Sequence, residues 1–266
     1  MKKAIPIEFV YQVFSLLIAI IIVHAVYVAV IRPNANAFME QEVARMKADA
    51  EYVQQRSIFV VIRDFEQEAC FILALWAFSI MGYKGYASYR QRKLLYNLVD
   101  GEDEQHDAEL DTDQLTRRLD GLPPRAREAL LPRALGAALH RFSATGNVQD
   151  VSAAAREVCQ TEADRLESEL SIIRYIAWAI PSIGFIGTVR GISDALAQAH
   201  RAVEGDITGV TQSLGVAFNS TFVALAISIV VMFFVHQLQL AQERVVLETE
   251  TYCDRYLIHR LKRSPA

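Results

Sequence analysis

A long uncharged stretch near the C-terminal end limits what this chain can fold into. Between Asp206 and Glu243 there is no Asp, Glu, Lys or Arg side chain, and a second apolar segment runs from Ile172 to about Ala199. Each segment is long enough to cross the hydrocarbon core of a bilayer, roughly 30 Å thick, as a helix. Because only a short connection around residues 204–206 joins them, we predict that the two spans form an antiparallel helical hairpin.

Both spans of this hairpin carry a stripe of small residues, because positions three or four apart lie on one face of a helix. The first stripe is Pro181, Gly184, Thr188, Gly191 and Ala195, and the second is Ala217, Thr221, Ala224 and Ser228. Small residues let helices approach closely in lipid, and the spacing of Gly187 and Gly191 is a common packing pattern. We assign to helix packing Pro181, Gly184, Gly187, Gly191, Ala217 and Ala224. Packing explains the paired threonines less well.

The stripes lie in two motifs that resemble the MotA/TolQ/ExbB proton-channel family. The first motif reads PSIGFIGTVRGI over residues 181–192, and the second reads AFNSTFVALA over residues 217–226. The first is similar to that family's proline-led signature of glycine, threonine and glycine, and the second to its threonine-bearing last span. The resemblance covers roughly Leu166 to Leu261. One departure is Arg190, which stands where the TolQ and ExbB branches usually have a tryptophan.

The resemblance implies an ion-channel subunit that assembles into a ring, commonly a homopentamer. Such a ring encloses helices of a single-span partner of the ExbD/TolR/MotB kind, and each partner chain supplies one aspartate. Ion passage past Thr188 and Thr221 would then drive rotation or a conformational cycle. By this resemblance the chain is a stator or energiser subunit that couples H⁺ or Na⁺ flow to mechanical work on an envelope machine.

The chemistry of the polar side chains in the hairpin agrees with a two-component path. A threonine hydroxyl both donates and accepts hydrogen bonds, so it can pass a proton or ligate a cation without holding charge itself. The stripes contain no carboxylate, and the titrating acid is therefore expected from another chain. Asn219, Ser220 and Ser228 are candidates for polar support of the path. Arg190 and Asp194 are one helical turn apart, and we interpret them as either an outer gate or a structural ion pair.

Two further apolar segments lie upstream of the hairpin. Phe9–Ile31 is interrupted only by His24, which is either a proton relay or a histidine hydrogen-bonded within the helix bundle. Ala69–Tyr83 is short and either spans the membrane or is re-entrant. Clusters of Lys and Arg before the first segment, after the second and after the last fall on one side only if all four cross. The positive-inside rule makes that side the cytoplasm.

These observations predict an all-α, polytopic protein of the bacterial inner (cytoplasmic) membrane, with four transmembrane helices in the lipid bilayer and both termini cytoplasmic. The expected parts are an N-terminal membrane hairpin (1–83) with an external loop at about 32–68, a helical cytoplasmic domain (84–170), the hairpin with the channel motif (171–241) and a C-terminal cytoplasmic helix (242–266). In the cytoplasmic domain, residues 100–113 form an acidic connector. Turns are expected at 121–124 and 145–147. Long helices are expected to run into the third span and out of the fourth.

Composition excludes several other classes of protein. The 27 Lys and Arg residues against 31 Asp and Glu give a net charge of −4, which argues against nucleic-acid binding. Cys70, Cys159 and Cys253 are far apart and fit neither a disulfide framework nor a metal site. The sequence shows no phosphate-binding glycine loop, nucleophile elbow or metal-ligand cluster, so we expect no enzyme activity, no metal and no cofactor. The remaining alternative is a non-conducting structural scaffold of a membrane complex.

Overall fold

The structure, a computed structural model, describes residues 7–48, 55, 57–99, 112–258 and 261. These residues form helices and connections, with no strand among them. The α-helices are α1 (Ile7–Val26), α2 (Arg32–Ala48), α3 (Ile58–Val61), α4 (Phe65–Val99), α5 (Thr112–Asp120), α6 (Pro124–Arg127), α7 (Leu130–Thr145), α8 (Val148–Ala197), α9 (Ala199–Val203) and α10 (Thr208–Tyr252). Two π-helical segments, Tyr27–Ile31 and Cys253–Ile258, accompany them. Most of the acidic connector, residues 100–111, lies outside the described residues.

Four helices within the described residues are long and apolar enough to cross a membrane: Glu8–Arg45, Phe65–Leu95, Val148–Ala197 and Thr208–Leu257. This confirms the predicted all-α fold with four membrane-length helices. The second of them belongs to α4, which runs from Phe65 to Val99 and so extends past the short apolar segment Ala69–Tyr83 at both ends, mostly at the C-terminal one.

The stretch expected to be an external loop at about 32–68 is instead helical in its first part. The helix of α1 continues through the π-helical segment directly into α2, and the backbone N–H of Arg32 bonds to the carbonyl of Tyr27. This wider turn lies just before Pro33, which lacks an N–H and would crowd the carbonyl four residues earlier in a regular α-helix. One face stays buried throughout, at Ala19, Val23, Tyr27, Ile31 and Ala35.

The chain divides into two compact units, one comprising described residues of 1–81 and 172–235, the other those of 82–171 and 236–266. In the first unit, polar side chains join α1 to α4. The hydroxyl of Tyr11 bonds to Ser79, and the indole N–H of Trp76 donates to the carbonyl of Gln12 at 2.9 Å. Such bonds satisfy polar groups at a depth where lipid offers no partners.

The second unit has its own apolar core. The side chains that build it come from α5, α7, the first part of α8 and the end of the chain, and include Leu119, Leu135, Val151, Cys159 and Leu257. α7 ends as predicted at the break before residue 148, because Gly146 adopts a left-handed conformation (φ 60°) that glycine tolerates at a helix terminus. The turn predicted at 121–124 is also confirmed, since α5 ends at Asp120 and α6 begins at Pro124. Cys70, Cys159 and Cys253 are all free and buried.

Candidate ion-conduction site

α8 and α10 pack against each other through glycines that leave no room for a side chain. An added β-carbon would collide at three positions: Gly184 against Ala224, Gly187 against Ser220 and Gly191 against Ala217. All three glycines are buried, as are the three residues that face them. The helices therefore lie in backbone-to-backbone contact along this seam, which is the close approach that small residues permit in lipid.

Thr188 and Thr221 meet in this seam. Their hydroxyl groups are hydrogen-bonded to each other, and both side chains are half-buried. The Thr188 hydroxyl also lies 3.1 Å from the carbonyl oxygen of Ala217 and 3.3 Å from that of Gly184. The Thr221 hydroxyl lies 3.3 Å from the same Gly184 carbonyl.

The two hydroxyl groups have more acceptors than hydrogens. Each hydroxyl can donate one hydrogen bond, yet the pair has both the mutual contact and the nearby carbonyls to choose from. Several donor arrangements of similar geometry are therefore available to the same side chains. A group of this kind can pass a proton from one oxygen to the next, or turn its lone pairs towards a passing cation, without acquiring a charge of its own.

Ser228 has a structural partner away from the threonines. Pro181 lies within α8 and has no N–H, so it cannot donate to the carbonyl of Ala177 four residues earlier. The Ser228 hydroxyl donates to that same carbonyl oxygen at 3.2 Å. A backbone group left open by a proline in a membrane helix is thus satisfied from the neighbouring helix. Asn219 is half-buried and, in the described part of the chain, makes no hydrogen bond to either threonine.

The prediction of an ion pair between Arg190 and Asp194 is wrong, because Arg190 has a different partner. The Arg190 guanidinium instead holds the Glu66 carboxylate with two bonds, Nε to Oε1 at 2.7 Å and Nη2 to Oε2 at 2.8 Å. Asp194 is exposed, and no ion pair joins it to Arg190 in the described structure. On a helix, a basic residue four positions before an acidic one is the less favourable order. Glu66, from the first turn of α4, offers the planar guanidinium a bidentate partner.

Sequence reasoning missed three polar residues at the start of α4. Glu66 contacts Arg190, Gln67 is fully buried beside Ser220, and Glu68 is buried between Arg32 and His24. His24 Nδ1 lies 2.7 Å from Glu68 Oε1, so this histidine is hydrogen-bonded within the helix bundle. These residues were assigned to the external loop because the apolar segment begins only at residue 69. Acidic residues at a helix N-terminus are a favourable signal that would have extended the helix.

The described residues contain no cluster of three or more His, Cys, Asp or Glu side chains that could hold a metal ion. Apart from the Glu66 carboxylate, which Arg190 binds, the oxygens beside the seam belong to hydroxyl, amide and backbone carbonyl groups. These are ligands for a proton, a water molecule or a hard monovalent cation rather than for a transition metal.

The chain was also compared with known proteins. Residues 126–251 match the model of the MotA/TolQ/ExbB proton channel family, which confirms the resemblance seen in the two motifs. The match begins well before Leu166, so α7 and the first part of α8 also lie within the matched residues. No curated protein and no solved structure matches the chain.

Proposed function

Because residues 126–251 match the model of the MotA/TolQ/ExbB proton channel family, we propose that this chain is the ion-channel subunit of a stator or energiser complex. It couples H⁺ or Na⁺ flow to mechanical work on an envelope machine. The observation that carries the proposal is the contact of the Thr188 and Thr221 hydroxyls within the close-packed seam of α8 and α10. The family consists of membrane channels and not of enzymes, and we propose no catalytic activity.

The proposed path needs a titrating acid from a second chain. Glu66 is a carboxylate beside the seam, and both of its oxygens are bound by Arg190. Because the Arg190 guanidinium engages both oxygens, this carboxylate has a structural partner, and we do not propose it as the group that exchanges the ion with the threonines. We therefore propose a single-span partner of the ExbD/TolR/MotB kind, whose aspartate exchanges the ion with the threonines.

A homo-oligomer, most simply a pentamer, is the proposed assembly. The hairpin leaves large apolar side chains exposed on both of its helices, among them Phe185, Ile186, Phe218, Phe222 and Ile229. Some of this surface suits lipid, and some suits the neighbouring copies and the partner helix in a ring. Helix α1, with exposed Phe14, Ile18 and Ile21, is proposed to face lipid on the outside of the ring.

We place the assembly in the bacterial inner membrane with both termini in the cytoplasm. The support is the distribution of basic residues along the sequence. Lys and Arg follow the second and the fourth spans, at Lys84, Arg90, Arg244 and Arg255 among others. With four spans these positions share one side, and that side is the cytoplasm by the positive-inside rule.

A non-conducting scaffold is the second candidate function, and one observation favours it. The threonine hydroxyls bond to backbone carbonyls of Gly184 and Ala217, which is also what a hydroxyl does when it only fastens two helices. In that case the stripes of α8 and α10 would be complete as packing surfaces. The chain would then assemble a complex through its helices and transport nothing.

An ion-flux assay in liposomes separates the two candidates. Three samples are compared: this chain alone, this chain with its aspartate-bearing partner, and the same pair with that aspartate changed to asparagine. We expect flux only from the second sample, because the threonine seam provides no titrating group. The scaffold function predicts no flux from any of the three. Strong flux from this chain alone would overturn the two-component mechanism.

A further inference from the structure

Gln67 is a fully buried amide at the contact between α4 and α10. Its Nε2 donates to the Val61 carbonyl at 3.2 Å and to the Ser220 hydroxyl at 3.3 Å. The Val61 carbonyl can only accept, so the amide nitrogen and not the amide oxygen must face it. Ser220, which is also buried, passes its own hydrogen to the Val216 carbonyl at 2.9 Å. The chain of hydrogen bonds therefore has a defined direction, from Gln67 through Ser220 into the backbone of α10.

This contact lies beside the threonine seam. Ser220 precedes Thr221 in α10, and its side chain fills the space left open by Gly187, which precedes Thr188 in α8. The Cγ atom of Glu66 occupies the same space. A side chain that fixes Ser220 consequently acts on the turn of α10 that carries one of the two path hydroxyls.

Stability alone does not account for an amide at this position. Among the described residues the Oε1 atom of Gln67 has no hydrogen-bond partner, although the atom is buried. A buried carbonyl without a donor is destabilising, and more so in a membrane, where other partners are scarce. Methionine has nearly the same length and shape and no such oxygen. Methionine at position 67 would remove this unpaired oxygen and would also leave the Val61 carbonyl without the donor at 3.2 Å, so the two changes in stability offset each other.

We propose that Gln67 is a positioning residue of the ion path, which holds Ser220 and with it the turn of α10 that presents Thr221 to Thr188. The proposal rests on the function proposed above. It adds a residue of α4, outside the family-matched segment 126–251, to a site otherwise built by α8 and α10. A purely structural contact would affect assembly, whereas a positioning residue affects flux at constant stability.

The test measures unfolding temperature and partner-dependent flux in parallel, on the full chain with its partner. The variants are Gln67→Met, Ser220→Ala and the double variant, and the matched control is Gln212→Met, whose amide is exposed on α10. We expect Gln67→Met to leave the unfolding temperature close to that of the wild type while flux falls about tenfold, since small displacements in a site are costly for rate. The double variant should lose no more flux than Gln67→Met, because both changes break one contact.

The outcomes distinguish the positioning role of Gln67 from the proposed ion-channel function. Unchanged flux in Gln67→Met, with the wild-type pair active, overturns the positioning role and leaves the proposed function intact. A parallel fall of stability and flux, or additive losses in the double variant, assigns Gln67 to structure only and overturns the proposal as well. Absence of flux from the wild-type pair removes the proposed function itself.

Discussion

Gly191 of α8 lies directly against the backbone of Ala217 on α10. A β-carbon at position 191 would come within 2.7 Å of the Ala217 nitrogen and within 2.8 Å of the Ser213 carbonyl oxygen. Backbone atoms within a helix cannot rotate aside as a flexible side chain can. The observed approach of the two helices beside the threonines therefore requires that position 191 has no β-carbon.

We expect Gly191→Ala to force α8 and α10 apart and to lower the unfolding temperature of the chain. The matched control is Gly215→Ala in α10, where an added β-carbon meets nothing within 4 Å. Alanine is favoured over glycine within a helix by about 1 kcal/mol, so the control should be neutral or stabilising. Thermal unfolding of both purified variants checks this, and equal effects would contradict the close contact.

Thr188→Ala and Thr221→Ala are each expected to abolish partner-dependent flux while the oligomer still forms. Side-chain hydrogen bonds in membranes average only about 0.6 kcal/mol, so assembly should survive the loss of one hydroxyl. Thr→Ser keeps the hydroxyl and should retain more flux than Thr→Val, which keeps only the shape. Flux and oligomer size are measured on the same preparations. Loss of the oligomer in both alanine variants would assign the threonines to packing.

Ser228 and Pro181 are expected to depend on each other. Ser228→Ala should destabilise the chain, because the Ala177 carbonyl then loses the donor that replaces the missing N–H of the proline. Pro181→Ala supplies a backbone N–H for that carbonyl, so Ser228→Ala should cost much less in its presence. A double-mutant cycle on unfolding temperature measures the coupling. Additive effects would show that the serine does not compensate for the proline.

Arg190 and Glu66 should behave as one unit. Alanine at position 190 is expected to lower the unfolding temperature more than alanine at position 66, because it leaves a carboxylate that is only 12% exposed without its partner, whereas the Arg190 side chain is 43% exposed and reaches solvent. The double variant should lose no more stability than the Arg190→Ala variant alone. Asp194→Ala serves as the control and should leave the unfolding temperature unchanged. A loss of stability in Asp194→Ala that vanishes when Arg190 is also replaced would instead indicate an ion pair between Arg190 and Asp194.

The turn between α9 and α10 gives a pH-dependent prediction. Hydrogen bonds from the side chain and the backbone N–H of Thr208 lower the pKa of Asp206, whose Oδ1 lies 3.0 Å from that nitrogen. A lowered pKa in the folded state means that the contribution to stability is complete above the unfolded-state value and is lost as pH falls through the folded-state value. Asp206→Ala should therefore reduce thermal stability more at neutral pH than in acid, and Asp206→Asn, which keeps an acceptor oxygen but not the charge, should remove only the pH-dependent part.

The sequence predicts much of the fold because single helices carry their own signals. The length of the uncharged segments indicates the membrane spans. Gly146 marks the end of α7 because glycine tolerates a left-handed backbone conformation there. The stripes of small residues indicate which faces of α8 and α10 can pack closely against another helix. The partner of Arg190 and the burial of Gln67 could not be predicted in this way, because both depend on a third helix that contacts the hairpin. Periodicity within one helix describes a face and does not identify what covers it.

The π-helical turn at Tyr27–Ile31 sets the angular phase of the helix that contains it. At 3.6 residues per turn, each four-residue step overshoots a full turn by roughly 40°. The buried positions from Ala19 to Ala35 nevertheless recur at every fourth residue, since the wider π turn takes up an extra residue and corrects part of the accumulated rotation. Removal of a single residue from this turn would rotate α2 about the helix axis by roughly 100° relative to α1. Ala35 would then leave the core, and Arg32 would turn away from Glu68.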